Sequence, residues 1–337
     1  MALKDKSPRE IDEVSELRAA LVRTQRQLAR ANERTDFLVE ATIQACRDTV
    51  LSHYPIKPPP KPRKDKRDKG VEVALWHLSD WQGRKKTPSY NGEIMRQRVF
   101  NFLNKADQIT QIQRTHHPVE DLTILLGGDM IEGLFNFPTQ PFEIDATLFD
   151  QYVSVAKLLS EVMQYALGLF RTVHVVPEWG NHGRLGSRRS AVPRSDNADR
   201  MTYELAKSLV TSPRLTWQDC PEDIQRVEIG KYRALLIHGD EVGRNGFASP
   251  MTIVRHCDRW ASGAYPWDFR DVYVGHYHTH AEWAMANGKG AVYQTGSTES
   301  DNRYARDTMA ASALPSQRIH FINPAKGQVT SQYKVYV

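Results

Sequence analysis

Cysteine is scarce in this chain: Cys46, Cys220 and Cys257 are the three in 337 residues, widely scattered and odd in number. That excludes a disulfide framework and a thiolate-held metal, and it predicts a reducing compartment. No apolar run reaches about 18 residues, so no membrane-spanning helix and no membrane partner are expected. The opening residues, MALKDKSPREIDE, carry mixed charge and no apolar core, so they are not read as a secretory signal. The expected setting is cytoplasmic. Excess charge is also missing from most of the chain. Residues 1–70 hold 16 Lys and Arg against 11 Asp and Glu, whereas the remainder holds 29 of each. The net charge of +5 therefore belongs to the N-terminal fifth. A composition of 40% hydrophobic and 25% charged residues is that of an ordinary folded protein. The length suffices for one large core and an appendage.

The appendage is expected over residues 1–54. Residues 9–50 contain neither glycine nor proline. Alternate steps of three and four pick out Val14, Leu17, Leu21, Thr24, Leu28, Ala31, Thr35, Leu38 and Thr42. This narrow seam, flanked by charge, predicts a coiled coil that makes the protein a homo-oligomer or binds a partner. The alternative is a single amphipathic helix. Residues 55–70, with Pro58-Pro59-Pro60 and a run of Lys and Arg, are read as a semi-rigid basic linker. Its cations suit non-specific contact with a nucleic-acid backbone, although Asp65 and Asp68 dilute them.

Residues 71–337 read as the catalytic domain. Buried-strand patterns at Val71–Ser79, Leu122–Leu126 and Thr172–Trp179 alternate with helical patterns near residues 92–115 and 145–170. Such alternation predicts parallel pairing with helical crossovers, an α/β architecture. Further strands are expected at about 224–229, 232–238 and 271–274, a helix near 250–262, and a strand-rich tail from about 281.

Five short polar motifs sit where apolar runs end: Asp80-Trp81-Gln82, Gly127-Gly128-Asp129, Gly180-Asn181-His182, His238-Gly239-Asp240 and Gly275-His276-Tyr277-His278. Each alone is ordinary turn chemistry. As an ordered set they supply oxygen and imidazole donors without sulfur, a suitable set for two divalent metal ions. Hydrolysis of a phosphate ester needs the phosphoryl charge neutralised and a water acidified, and paired metal ions do both. His77, an odd number of positions from Asp80, should face away and is read as packing, as is His280.

The motif order resembles the calcineurin-like metallophosphoesterase superfamily over about residues 72–300, most closely the branch of DNA-repair exonucleases and phage-encoded phosphoesterases. The resemblance implies a two-sheet β-sandwich flanked by helices, with a dinuclear site at one edge. It implies that Asp80, Gln82, Asp129 and His278 hold one ion and that Asn181, His238 and His276 hold the second. Asp129 would be shared, and His182 would assist the leaving group. An ATPase partner is implied by the resemblance only. Two positions depart from the pattern. Gln82 stands where histidine is usual, which predicts weaker binding and a preference for Mn²⁺ (or Mg²⁺, with Fe²⁺ or Zn²⁺ as alternatives). Gly183 stands where an acidic residue often follows His182, and Glu132 is the candidate to orient that imidazole instead.

Cations follow two of the motifs: Arg84-Lys85-Lys86, and Arg184, Arg188, Arg189 and Arg194. With Trp81 between two ligands, they are expected to ring the site and receive flanking phosphates. The alternative is two solvated loops. The leading expectation is therefore a metal-dependent phosphodiesterase acting on DNA as a nuclease. A phosphatase or cyclic-nucleotide phosphodiesterase on a small substrate is the alternative, and a non-catalytic nucleic-acid-binding or scaffold protein with a decayed site is a further one.

Overall fold

Runs rich in valine, isoleucine and leucine become the central strands. In the computed structural model these are β1 (Glu72–Leu78), β2 (Val119–Leu126) and β3 (Thr172–Pro177), joined by the short β4 (Leu215–Trp217). The structure describes residues 21–23, 57–136, 140–186, 193–220, 222–242, 248–286, 288, 290–301 and 313–337. The chain divides into two units, Met1–Pro55 and Ile56–Val337. In the first, Leu21–Arg23 are helical and exposed. The rest of the coiled coil expected over residues 9–50 lies outside the described residues.

In the second unit β1 to β4 run parallel, and β10 (Ser316–Asn323) and β11 (Gln328–Tyr336) extend the sheet antiparallel beside β1. Because β1 to β3 are covered on both faces, their sequences read as near-continuous apolar runs. A second sheet comprises β5 (Gln225–Ile229), β6 (Tyr232–Ile237), β7 (Asp271–Val274), β8 (Ala281–Ala284) and β9 (Ala291–Gln294). Its order is β5-β6-β7-β9-β8, with β6, β7 and β9 parallel.

The sheets pack face to face. Leu75, Leu125, Val176 and Ile322 of the first meet Val227, Tyr232, Leu236 and Tyr273 of the second in one buried cluster. Helices cover the outer faces. On the first sheet, α1 (Gly92–His116) and α2 (Leu148–Leu169) flank Trp76, whose ring meets Phe102 and Phe170 edge-on at 5.6 and 5.7 Å. α3 (Ala198–Leu209) packs beside α2. On the second sheet, Ile253, Val254 and Cys257 of α4 (Pro250–Arg259) cover Leu235, Val272 and Val292. The architecture is thus an α/β sandwich of two sheets flanked by helices. No described helix is long and apolar enough to cross a membrane.

Helix ends follow local chemistry. Asn91 accepts from the amides of Glu93 and Ile94 at the start of α1, and Thr147 caps α2. Pro118 follows the end of α1, where its ring disfavours further helix. The sequence pattern did not mark α3 or β4. α3 is amphipathic, burying Ala198, Thr202, Tyr203, Leu205, Ala206 and Leu209, but it spans only 12 residues.

The expected linker is fixed along its described residues. The carbonyls of Pro59 and Pro62 accept from Arg214 and Arg171 at 2.6 and 2.8 Å, and the amide of Asp65 donates to Glu120 at 2.6 Å. A polyproline backbone has no internal hydrogen bonds, so its carbonyls are open to these arginines.

Asp271, at the start of β7, is buried under the inter-sheet cluster. It accepts from the Tyr232 hydroxyl and the Ala291 amide, both at 2.8 Å. Burial pushes its carboxyl up from 3.8 to about 6, with these hydrogen bonds pulling the other way. A carboxyl raised on folding stabilises the fold fully below its unfolded pKa, and that contribution is lost as pH rises through the folded value. Wild-type stability in denaturant should therefore fall by on the order of 3 kcal/mol between about pH 4 and 7 from this group. Asp271→Asn should flatten that fall; an unchanged pH profile in the variant would count against the assignment.

Candidate metal centre

The parallel strands of both sheets end level. Leu78 pairs with Leu126 and Leu126 with Pro177, while Ile237 pairs with Val274 and Val274 with Gln294. The next residues of each strand emerge at one edge, where open α/β sheets bind ligands. Asp80, Asp129, Asn181, His238 and His276 leave these strand ends, and Gln82 and His278 follow two residues later.

The backbone there is bent to an unusual degree. Asp80, Gln82, Asp129, His276 and His278 all have positive φ, between 47° and 67°. Each such conformation costs about 1 kcal/mol or more for a residue bearing a side chain. Surrounding bonds hold it in place: the amides of Asp80 and Gln82 donate to the carbonyls of Gly128 and Asp129, both at 3.0 Å. Gly128 and Gly180 allow the strand ends to meet, since a Cβ on Gly128 would lie 2.5 Å from the Gly180 nitrogen.

The seven candidate ligands form two groups joined at Asp129. On one side, His238 Nε2 lies 3.2 Å from Asp129 Oδ2, 3.0 Å from Asn181 Oδ1 and 3.2 Å from His276 Nδ1. One donor atom each of Asp129, His238 and His276 falls within a 4.8 Å sphere of mutual distances. On the other side, His278 Nε2 lies 3.3 Å from Asp80 Oδ1 and 3.3 Å from Gln82 Nε2, which is itself 3.3 Å from Asp129 Oδ2. Asp129 Oδ2 is thus common to both groups.

These residues fit a pair of cations. Distances near 3 Å between lone-pair-bearing atoms suit donors that share an ion. Imidazole orientation is set from behind: His238 Nδ1 donates to the Gly127 carbonyl at 2.7 Å, and His278 Nδ1 lies 3.1 Å from Glu299 Oε2. The Gln82 oxygen is buried without a partner. A half-turn of its amide exchanges Oε1 for Nε2, bringing a ligating oxygen to the two groups. The local field also calls for positive charge. Burial opposes protonation of His182, His238 and His278, yet the neighbouring carboxylates outweigh it and raise all three, His278 to about 10.

His182 stands beside the shared carboxylate. Its amide donates to Asp129 Oδ1 at 2.8 Å, and its Nε2 lies 3.8 Å from Oδ2. Its Nδ1 is 3.1 Å from the Glu132 carbonyl, 3.3 Å from Glu132 Oε2 and 3.3 Å from the Gln140 amide. Glu132, the candidate orienting partner, is therefore in place. Gly183 has no room for an acid: a Cβ there would lie 2.2 Å from Asn197 Oδ1, the cap of α3.

The expected ring of cations is not free. Lys85 is 4% exposed, between Glu299 at 3.1 Å and Glu132 at 3.5 Å. Arg84 pairs with Asp145 at 2.9 Å, and Arg184 pairs with Asp240. Arg194 is surrounded by Glu178, Asp223, Asp240 and Glu241. Trp81 is 1% exposed and contributes its carbonyl to Tyr90 and Thr298, so its ring borders no open surface. Lys85, Arg184 and Arg194 are drawn in because buried carboxylates crowd this edge and nearby cations neutralise them. Arg188 and Arg189 lie outside the described residues.

Two supporting acids escaped the sequence reading. Asp199 accepts from the amides of Asp129, Met130 and Gly180 at 2.8, 3.0 and 2.9 Å, tying the second and third motifs together. The pattern Asp196-Asn197-Ala198-Asp199 is a helix-start signal that could have found it. Glu299 follows β9 with no motif to mark it.

No family model and no curated protein matches this chain. Solved structures give distant likenesses. The Zn²⁺ complex of wild-type Vps29 from Entamoeba histolytica is 13% identical over 77% of this chain and 98% of its own, with a TM-score of 0.34. Yfce, a phosphoesterase from E. coli, is 16% identical over 78% and 99%, also at 0.34. The hypothetical protein PH1004 from Pyrococcus horikoshii OT3 is 12% identical over 78% and 88%, at 0.40. Likenesses this remote carry no weight for activity.

Asp199→Ala would strand three buried amides, and a loss of about 3 kcal/mol or more is expected in denaturant unfolding. A change below about 1 kcal/mol would mean that the motifs are held by something else. At the Asp80 end, Gln82→His should raise zinc affinity at least about 10-fold in calorimetric titration. Purified without added metal, the wild-type chain should not carry two zinc ions in elemental analysis.

Proposed function

We propose that the chain is a dinuclear metal-dependent phosphoesterase of the calcineurin-like type. One observation carries this reading: donors from five separate segments gather around the carboxylate of Asp129. Asp80, Gln82, Asp129 and His278 would hold one divalent ion, and Asp129, Asn181, His238 and His276 the other, with Mn²⁺ favoured by the oxygen-rich set. Bound there, the ions would neutralise phosphoryl charge and acidify water.

The remaining chemistry belongs to the chain itself. His182 presents Nε2 to the centre because its Nδ1 faces Glu132. A protonated imidazole in that position gives its Nε2 proton to the departing ester oxygen as the P–O bond breaks. The Glu132 carbonyl, 3.1 Å from Nδ1, keeps the ring turned toward the substrate, and the nearby Glu132 carboxylate stabilises its charge. Hydrolysis adds water across the bond, leaving a phosphate and an alcohol.

The proposed substrate is a phosphodiester of nucleic acid, DNA foremost. Its support is the exposed Lys86 and the arginine-rich segment that leaves the third motif. A second reading, hydrolysis of a small phosphate ester, is favoured by the pairing of Arg84, Arg184 and Arg194 with carboxylates, which leaves them less able to receive a polyanion. A non-catalytic scaffold is disfavoured, since decay rarely spares six of seven expected ligands and Gln82, the one departure, can still ligate through oxygen.

The test is a panel of a nitrophenyl monoester, a nitrophenyl diester and labelled single- and double-stranded DNA, each with Mn²⁺. The expected result is cleavage of the diester and of DNA. DNA that survives while small esters turn over would remove the nuclease and keep the phosphoesterase. Asp129→Ala and His238→Ala should each lower turnover by about 10²–10³-fold or more, with unchanged circular dichroism. Undiminished hydrolysis in both variants would put the active site elsewhere.

A further inference from the structure

Three charged side chains lie buried beneath the candidate centre, and they make a continuous path. His182 Nδ1 lies 3.3 Å from Glu132 Oε2, and the same oxygen is 3.5 Å from Lys85 Nζ. Lys85 Nζ is 3.1 Å from Glu299 Oε1, and Glu299 Oε2 is 3.1 Å from His278 Nδ1. The side chains of Glu132, Lys85 and Glu299 are 1%, 5% and 1% exposed. A third carboxylate, that of Glu143, is 4.0 Å from the ammonium and partly open to solvent.

We propose that Lys85 is a positioning residue that couples the two ends of the centre, setting His182 through Glu132 and His278 through Glu299. The inference rests on the metal-dependent reading of the site.

The backbone fixes this geometry more tightly than ion pairing alone would. Beyond the end of β1, Gln82 and Gly83 donate to the carbonyls of Asp129 and Met130, and Glu132 donates to Gly83. Lys85 therefore leaves a segment already in register with the one that carries Glu132. Its own amide closes a turn on the Gln82 carbonyl at 2.9 Å. Glu299 is tied to the first motif, because Ser297 Oγ donates to the Asp80 carbonyl and accepts from the Glu299 amide. Burial disfavours the Lys85 ammonium, but Glu132 and Glu299 outweigh that effect and keep it charged.

The ammonium has a definite task. Without it, two buried carboxylates would lose the positive charge that lies between them, and each would turn away or take up a proton. Either change withdraws a carboxylate from behind an imidazole. A carboxylate behind a ligating histidine fixes both tautomer and ring orientation, and losing such support typically costs about 10–100-fold in metal affinity or activity.

Three variants separate coupling from mere filling of space. Glu299→Gln removes the carboxylate behind His278 but leaves Glu132 between Lys85 and His182, and should weaken uptake of one Mn²⁺ by about 10–100-fold in calorimetry. Its relative rates on alkyl and nitrophenyl diesters should not change. Glu132→Gln removes the carboxylate beside His182 but leaves Glu299 between Lys85 and His278. It should slow the alkyl ester, whose leaving group needs a proton, more than the nitrophenyl ester, with Mn²⁺ uptake preserved. Lys85→Met should show both defects at once, and Lys85→Arg should restore part of each. If Lys85→Met fails to fold, Lys85→Arg and the two glutamate variants still show whether the ends respond separately. Wild-type Mn²⁺ affinity together with a wild-type leaving-group pattern in Lys85→Met would overturn the coupling alone. Absence of Mn²⁺ uptake by the wild-type chain would overturn the metal reading and this inference with it.

Discussion

The amide of Asp129 donates to the buried carboxylate of Asp199, while its own carboxylate meets Gln82, His182 and His238. This doubly tied residue joins the strand ends of the first sheet to the histidines brought by the second. Its left-handed backbone would not persist without such over-determination, since the strain must be offset by bonds that no alternative conformation can make. Gly128 and Gly180 serve the same contact by removing side chains where two strand ends touch. The two-sheet sandwich is in this sense the scaffold that presents one carboxylate from a fixed direction.

Negative charge is concentrated around it. Asp80, Asp129, Glu132, Asp199 and Glu299 are all buried at this edge, with Asp240 close by. Such a cluster is tolerable only with compensation, because isolated buried carboxylates are costly. The chain supplies part of that compensation from within: Lys85 between two glutamates, Arg184 on Asp240, and Arg194 among four acids. The rest falls to the imidazoles, pushed toward their charged forms despite burial, at positions where divalent cations would serve better. Lys85, Arg184 and Arg194, which the sequence suggested for phosphate binding, are thus engaged with carboxylates at this edge.

Much of the fold was legible before any coordinates. The apolar runs ending at Leu78, Leu126 and Pro177, and the helical spans over residues 92–116 and 148–169, follow from continuous burial and helical period. The five polar motifs were equally visible, because a polar cluster closing an apolar strand has few structural reasons to recur five times. What stayed hidden lay in short elements and solitary side chains. α3 spans only 12 residues, Glu299 stands alone after a short strand, and Asp199 acts through its side chain on backbone amides far away in sequence. Nor does a basic residue near a motif reveal whether its partner will be a phosphate or a neighbouring carboxylate.

Residue type and order alone indicated which polar side chains follow the strand ends and that no cysteine stands among them. Burial and pairing were decided only in three dimensions. Lys85 and Lys86 are adjacent in the chain, yet one is enclosed by glutamates and the other meets solvent. The difference arises because the register between the segments following β1 and β2 brings Glu132 to Lys85, a coincidence of distant residues that no local pattern encodes.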